Sequence, residues 1–232
     1  MSLKTLVVVF LGPPGSGKGT QGKELAKALP AVQHMATGDL FRNEITHKSD
    51  VGRQVEAIIS SGKLVSDELT YEVLKSQLSK VVAEKHPTCL ILDGYPRNGA
   101  QVTHLVKLIN ENSSLQGPVF FELSVPKEVI VERISGRLVN PRTGAVYHLK
   151  TKPPKTPGRC DEDGGELIQR PDDKPEVVGG RYDLYQKGLL EMLEEIKKGA
   201  YPHFKFDGTS AVGTVSKTME AKLKELVPGL TG

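Results

Sequence analysis

The stretch Leu6-Val7-Val8-Val9-Phe10-Leu11-Gly12-Pro13-Pro14-Gly15-Ser16-Gly17-Lys18-Gly19-Thr20-Gln21 decides the fold. Its first six residues are apolar and three in a row are β-branched, the pattern of a strand buried on both faces. Gly12 to Gly17 cannot continue that strand, and the residues from Lys18 to Leu29 suit a helix. In a glycine-rich turn between strand and helix the backbone can curl until successive N–H groups face inward on an anion. The following helix adds its positive end, and Lys18 adds a point charge aimed at phosphate. Lys4 ahead of the apolar run also resembles a secretory leader, but the run is short and no small-residue cleavage site follows it.

Outward from this unit, short and almost continuously apolar runs at Val32–Met35, Thr88–Leu92, Val119–Val125 and His203–Phe206 read as further strands. Helical patterns fill the intervals at 40–46, 51–60, 67–85, 101–112, 127–138, 182–198 and 214–226. Alternation of this kind predicts an α/β fold with a parallel five-stranded sheet covered by helices. One stretch breaks it. From about Leu138 to Asp173 there are five prolines and four glycines among polar residues. A loop so long inside a compact domain reads as a lid or small lobe, and Val146–Leu149 can supply a short strand within it.

The composition narrows the function. A chain of 232 residues, 38% hydrophobic and 25% charged, suits one domain with a sizeable core. No apolar run approaches the ~20 residues of a membrane helix. A net charge of +3 is too mild to point to nucleic acid. Two cysteines, Cys89 and Cys160, are too few for a disulfide scaffold and fit a reducing cytoplasm. No membrane or nucleic-acid partner is expected.

The loop form G-x-P-G-x-G-K-G-T-Q is narrower than the generic phosphate loop, since Gly19 stands where Ser or Thr usually follows the lysine. It resembles the nucleoside monophosphate kinases, and the adenylate kinases among them. Further segments carry the same resemblance: Thr37-Gly38-Asp39 with Arg42, Gly62-Lys63-Leu64-Val65, Asp93-Gly94-Tyr95-Pro96-Arg97 with Gln101, Arg133-Ile134-Ser135-Gly136-Arg137, Arg170-Pro171-Asp172-Asp173, Arg181, and Asp207-Gly208-Thr209. Six of the nine arginines fall in these segments, which is a poor match to scattered surface charge. Guanidinium forks grip phosphate in a bidentate way that lysine does not.

The resemblance implies phosphoryl transfer from ATP to AMP, giving two ADP, by a monomer with a nucleotide-monophosphate insert at 37–65 and a lid at 136–173. The core then comprises 1–36, 66–135 and 174–232. It implies Lys18, Asp93, Arg97, Arg137, Arg170 and Arg181 as catalytic. The ATP side takes Gly15, Ser16, Gly17, Lys18, Gly19, Thr20, Arg133, Arg137, Val146, Tyr147 and Ser210. The AMP side takes Thr37, Arg42, Lys63, Leu64, Val65, Gly94, Tyr95, Pro96, Arg97, Gln101, Arg170 and Arg181. Magnesium is expected with ATP, and Asp93 resembles the acid that holds magnesium-bound water. Two residues have duller readings: Thr37 can cap a helix, and Gln101 is spaced from Asn98 as in a capping box.

Lids of one branch of the family carry zinc on four Cys or Asp ligands. The matching positions are Asn140, Thr143, Cys160 and Asp163, so no structural zinc is expected; a polar cluster takes its place and Cys160 is a bystander. The rivals are a GTP:AMP or UMP/CMP phosphotransferase and, further off, a P-loop nucleotide switch. GTP switches read guanine with N-K-x-D, and no Asn-Lys pair occurs in the chain.

Overall fold

A computed structural model describes residues 4–60, 65–169, 173 and 175–230. Five strands form one parallel sheet: β1 (Thr5–Leu11), β2 (Val32–Ala36), β3 (Cys89–Asp93), β4 (Leu115–Ser124) and β7 (His203–Asp207), in the order β2-β3-β1-β4-β7. Val8 is in register with Ile91 on one side and Val119 on the other. Every residue of β1 is buried.

The twofold alternation of a strand sends neighbouring side chains to opposite faces. Val7, Val9 and Leu11 join Leu90, Leu92 and Phe120 in one core cluster. That cluster is closed by α4 (Asp67–Lys85), α5 (Gly99–Glu111) and α7 (Pro175–Lys198), through residues such as Leu74, Leu105 and Met192. Leu6, Val8 and Phe10 join Ile91 and Phe121 on the other face, closed by α1 (Lys18–Ala28) and α8 (Val212–Leu226) through Leu25, Met219 and Leu223.

Two segments stand apart from these layers. The first carries α2 (Thr37–Thr46) and α3 (Asp50–Ser60), where Phe41 and Val55 pack with Val73 of α4. The second follows α6 (Lys127–Ser135). There β5 (Arg137–Val139) and β6 (Val146–His148) pair antiparallel, over a small cluster of Ala145, Tyr147, Cys160 and Leu167.

Most boundaries shift by one to three residues from the sequence expectation, and three differences have a clear cause. The helix expected to run to Leu138 stops at Ser135, because Leu138 pairs with Tyr147 in the lid. The strand expected from Val119 begins at Leu115; the β1–β4 register shifts around Gly117 and Pro118, residues that read as breakers in the sequence. Helix α7 starts at Pro175, seven residues early, with proline at a first-turn position where its missing N–H costs nothing.

Candidate active site

The phosphate loop joins β1 to α1. Gly17 is the N-cap of α1 with φ +102°, a left-handed conformation that side-chain-bearing residues rarely adopt. Lys18 opens the helix, so its side chain leans back toward the amino terminus. Its Nζ donates to the Gly12 carbonyl at 2.7 Å and the Pro13 carbonyl at 3.1 Å, spanning the curl of the loop. Ser16 Oγ is buried in the loop without a hydrogen-bond partner.

Asp93 ends β3, in register with Phe10 beside it, so its carboxylate faces the start of α1. Oδ1 lies 4.0 Å from Lys18 Nζ, and Oδ2 lies 3.8 Å from His34 Nε2 on β2. Burial would push the Asp93 carboxyl up, but Lys18 and then His34 outweigh it and hold the group below the usual range. Lys18 is pushed down, first by burial and then by Arg97, Arg181 and Arg137, with Asp93 opposing. A Cβ added at Gly19 would stand 3.5 Å from Asp93 Oδ2, so the missing side chain keeps that carboxylate open. If Asp93 holds magnesium-bound water, as the resemblance implies, Asp93→Asn is expected to lower turnover about ten- to a hundredfold and to raise the magnesium concentration needed. A magnesium titration of both proteins checks this; superimposable curves would remove Asp93 from the site.

Among the residues expected on the AMP side, Thr37 does not cap α2: the N-cap is Ala36, and the Thr37 hydroxyl donates instead to the Asp93 carbonyl at 3.2 Å. Gly94 has φ +88°, and a Cβ there would meet Thr37 Oγ1 at 2.6 Å, so glycine is required on both counts. Arg97 Nε donates to the Gly94 carbonyl at 2.8 Å. Gln101 is buried: its Oε1 accepts from the Arg97 amide at 2.7 Å, while Nε2 donates to Asp67 at 2.5 Å. Asn98 caps α5 through the Gln101 amide, so half of the capping box exists. Arg42 pairs with Asp39 at the exposed edge of α2. Tyr95 turns its ring into the core, Pro96 is buried beside it, and Val65 packs on the Phe41 cluster. Lys63 and Leu64 lie outside the described residues.

Among the residues expected on the ATP side, Arg137 is held by both oxygens of Asp173, which is fully buried, with Nε donating at 2.9 Å. Thr209, through its hydroxyl and amide, holds Asp207 below the usual carboxylate range, with Ser210 and Arg133 adding to the effect. Ser210 Oγ donates to Asp207 Oδ2 at 3.3 Å at the end of β7, and Arg133 acts on that carboxylate by charge alone. Arg181, on α7, acts electrostatically on both Lys18 and Arg97. Arg170 lies outside the described residues. The Tyr147 ring packs in the small cluster with Ala145, Cys160 and Leu167, and its hydroxyl accepts from the Asp161 amide at 2.8 Å. Val146 is its half-buried neighbour on β6.

The sequence gives no sign of His34, which reads as an ordinary histidine yet stands beside Asp93. Asp67, which fixes Gln101 across 34 residues, is likewise invisible to spacing arguments.

The lid holds the expected polar cluster. Asn140 Nδ2 donates to Asp163 at 2.6 Å, the Thr143 amide donates to Asn140 at 3.2 Å, and Arg142 pairs with Asp163. Cys160 is not a bystander. It is buried, with Sγ 3.7 Å from Tyr147 Oη and 3.9 Å from Thr143 Oγ1, inside the cluster that closes the lid. One thiol and one carboxylate among hydrogen-bonded neutral groups do not suit tetrahedral zinc. Elemental analysis of tag-free protein is therefore expected to find well under one zinc per chain, and a strong chelator to leave the unfolding temperature unchanged. Stoichiometric zinc would refute this. Cys160→Ser is expected to lower the unfolding temperature measurably, because an oxygen is smaller than the sulfur it replaces and fills less of this packed cluster. The Gly165 amide, then Arg142, hold the Asp163 carboxyl at about 2. The cluster's contribution is thus intact at neutral pH and is lost as pH falls from the ordinary carboxylate range toward 2.

Cations gathered on a phosphate cradle, at the carboxyl end of a parallel sheet, place the chain among the P-loop nucleotide phosphotransferases. A family model described as adenylate kinase matches residues 10–200. An adenylate kinase of Thermosipho melanesiensis is 44% identical over 211 residues, covering 90% of this chain and 95% of that protein. Those of Caldanaerobacter subterraneus and Pyrococcus abyssi are 38% and 37% identical over similar spans, covering 93% and 90% of this chain and 95% and 91% of their own lengths. The chain belongs to the adenylate kinase family, whose members transfer a phosphoryl group between ATP and AMP; it is a nucleoside monophosphate kinase acting on adenine nucleotides. Among the described residues no helix is long and apolar enough to cross a membrane.

Proposed function

We propose that this chain converts ATP and AMP into two ADP with Lys18, Arg97, Arg137, Arg170 and Arg181 gripping the phosphates from both sides. One observation carries the reading: Lys18 is held in the curl of the loop, its Nζ on the Gly12 and Pro13 carbonyls and 4.0 Å from Asp93, with the charges of Arg97, Arg181 and Arg137 near enough to act on it. Cations crowded in this way suit a polyanion, and two nucleotides meeting tail to tail supply one. The transferred group spreads its charge over its oxygens, so positioned cations do most of the work. No general base is needed, because the acceptor is already an anionic phosphate.

Lys18 would exchange the Gly12 and Pro13 carbonyls for phosphate oxygens. Asp173 presets the Arg137 fork, and the Gly94 carbonyl presets Arg97. Asp93 and Thr20 offer the hard oxygen donors that suit magnesium through its waters, and that ion neutralises phosphate charge when bound. The segment 37–65 holds AMP, and the lid 136–173 closes over ATP and excludes water, which would otherwise take the phosphoryl group. The enzyme is read as a cytoplasmic monomer, in keeping with two free, buried cysteines.

A matrix of nucleoside triphosphates against monophosphates, with and without magnesium, tests this by the diphosphate formed. ATP with AMP is expected to be the best pair and to need magnesium. Nucleotide binding without turnover in any pair would instead indicate a switch, and a preference for GTP would reassign the donor side.

A further inference from the structure

Gln21 lies three residues after Lys18, one turn into α1, and its side chain is buried. Its Nε2 donates to the carbonyl of Val212, the first residue of α8, at 3.0 Å across 191 residues of sequence. Its Oε1 is also buried and has no hydrogen-bond partner. An orphaned carboxamide oxygen costs stability, and α1 otherwise meets α8 through apolar residues such as Leu25, Val215 and Met219. A leucine would fill this place at lower cost, so the reason for glutamine lies in what Nε2 holds.

What it holds is the far end of the loop between β7 and α8. The near end is fixed too. The Gly208 amide donates to the Ser124 carbonyl at 3.0 Å, and a Cβ on Gly208 would come 3.4 Å from the Ser16 carbonyl of the phosphate loop. Residues 208–211 are thus tied to β4 at Gly208, close against the phosphate loop, and tied to α1 at Val212. A nucleotide with its phosphates on Lys18 has its base a fixed length away, and backbone groups can discriminate an amino group from a carbonyl oxygen only if they keep their distance from the cradle.

We propose that Gln21 is a positioning residue for the donor nucleotide, holding loop 208–211 in register with the phosphate loop so that it reads the donor base; this rests on the reading of Ser210 and its neighbours as the donor-base side. The test is Gln21→Leu. The KM for ATP is expected to rise about tenfold, the scale of one net hydrogen bond, with kcat and the KM for AMP within twofold. The kcat/KM ratio of GTP to ATP should rise by about the same factor. The unfolding temperature should stay within about 3 °C, since the lost bond and the relieved orphan offset one another. A purely structural role would move both KM values together or only the unfolding temperature, and either result, like an unchanged ATP KM, overturns the proposal. Should Gln21→Leu not fold, Gln21→Met is read by the same split. Wild-type turnover of ATP with AMP, measured first, tests the underlying function separately. Calorimetric titration of wild type and Gln21→Leu with ATP alone reads the role of Gln21 without any acceptor, and equal affinities would refute it.

Discussion

Lys18→Met is expected to lower turnover by ~10³-fold or more while the protein stays folded, because a positioned cation on the transferring phosphates is worth that much in this class of reaction. Methionine matches much of the length of lysine and none of its charge. In the absence of nucleotide the variant loses two hydrogen bonds to the loop carbonyls of Gly12 and Pro13. It also loses a half-buried ammonium held against the charges of Arg97, Arg181 and Arg137, so the two changes act on stability in opposite directions. Steady-state rates beside thermal unfolding of the same preparation separate catalysis from folding. A purified, folded Lys18→Met protein of near-normal activity would dislodge the phosphate site from this loop.

AMP is expected to exceed UMP and CMP as acceptor by at least ~100-fold in kcat/KM, the scale on which a hydrogen-bonding site rejects a ligand that leaves its groups unpaired. The groups concerned are fixed in advance. Gln101 is clamped in one orientation by the Arg97 amide and Asp67, and Thr37 is clamped by the Asp93 carbonyl. A smaller ring cannot draw a pre-set amide toward itself without breaking those bonds. Competing acceptors at equal concentration, resolved by chromatography of the products, give the ratio directly. Comparable rates with UMP would move the chain to the pyrimidine enzymes.

Gln101 also marks where sequence reading divides. Its spacing from Asn98 allows a cap or a base reader, and nothing local chooses. The structure has Asn98 capping α5 while Gln101 turns to the residue before the cap and to Asp67 on another helix. Cys160 is read from motif position as an idle thiol, yet it is packed with Tyr147 into a small core that exists only once 137–139, 146–148 and 160–167 meet.

What the sequence determined is whatever depends on neighbours along the chain. The run Leu6–Leu11 had to be a strand and Gly12–Gly17 had to turn, because β-branching and glycine act through local backbone freedom. The helix beginning at Lys18 then aimed its dipole and its lysine at one point. Alternation of short apolar runs with helical periods determined a parallel sheet covered on both faces. Tertiary structure alone decided the strand order β2-β3-β1-β4-β7, and with it which side chains meet. Placing β3 between β2 and β1 brings Asp93 between His34 and Lys18. Placing α8 on the same face as α1 lets Gln21 reach Val212. These pairs lie 59, 75 and 191 residues apart. Their energies arise from desolvation and charge at a few ångströms, quantities that no local pattern encodes until the chain has closed those distances.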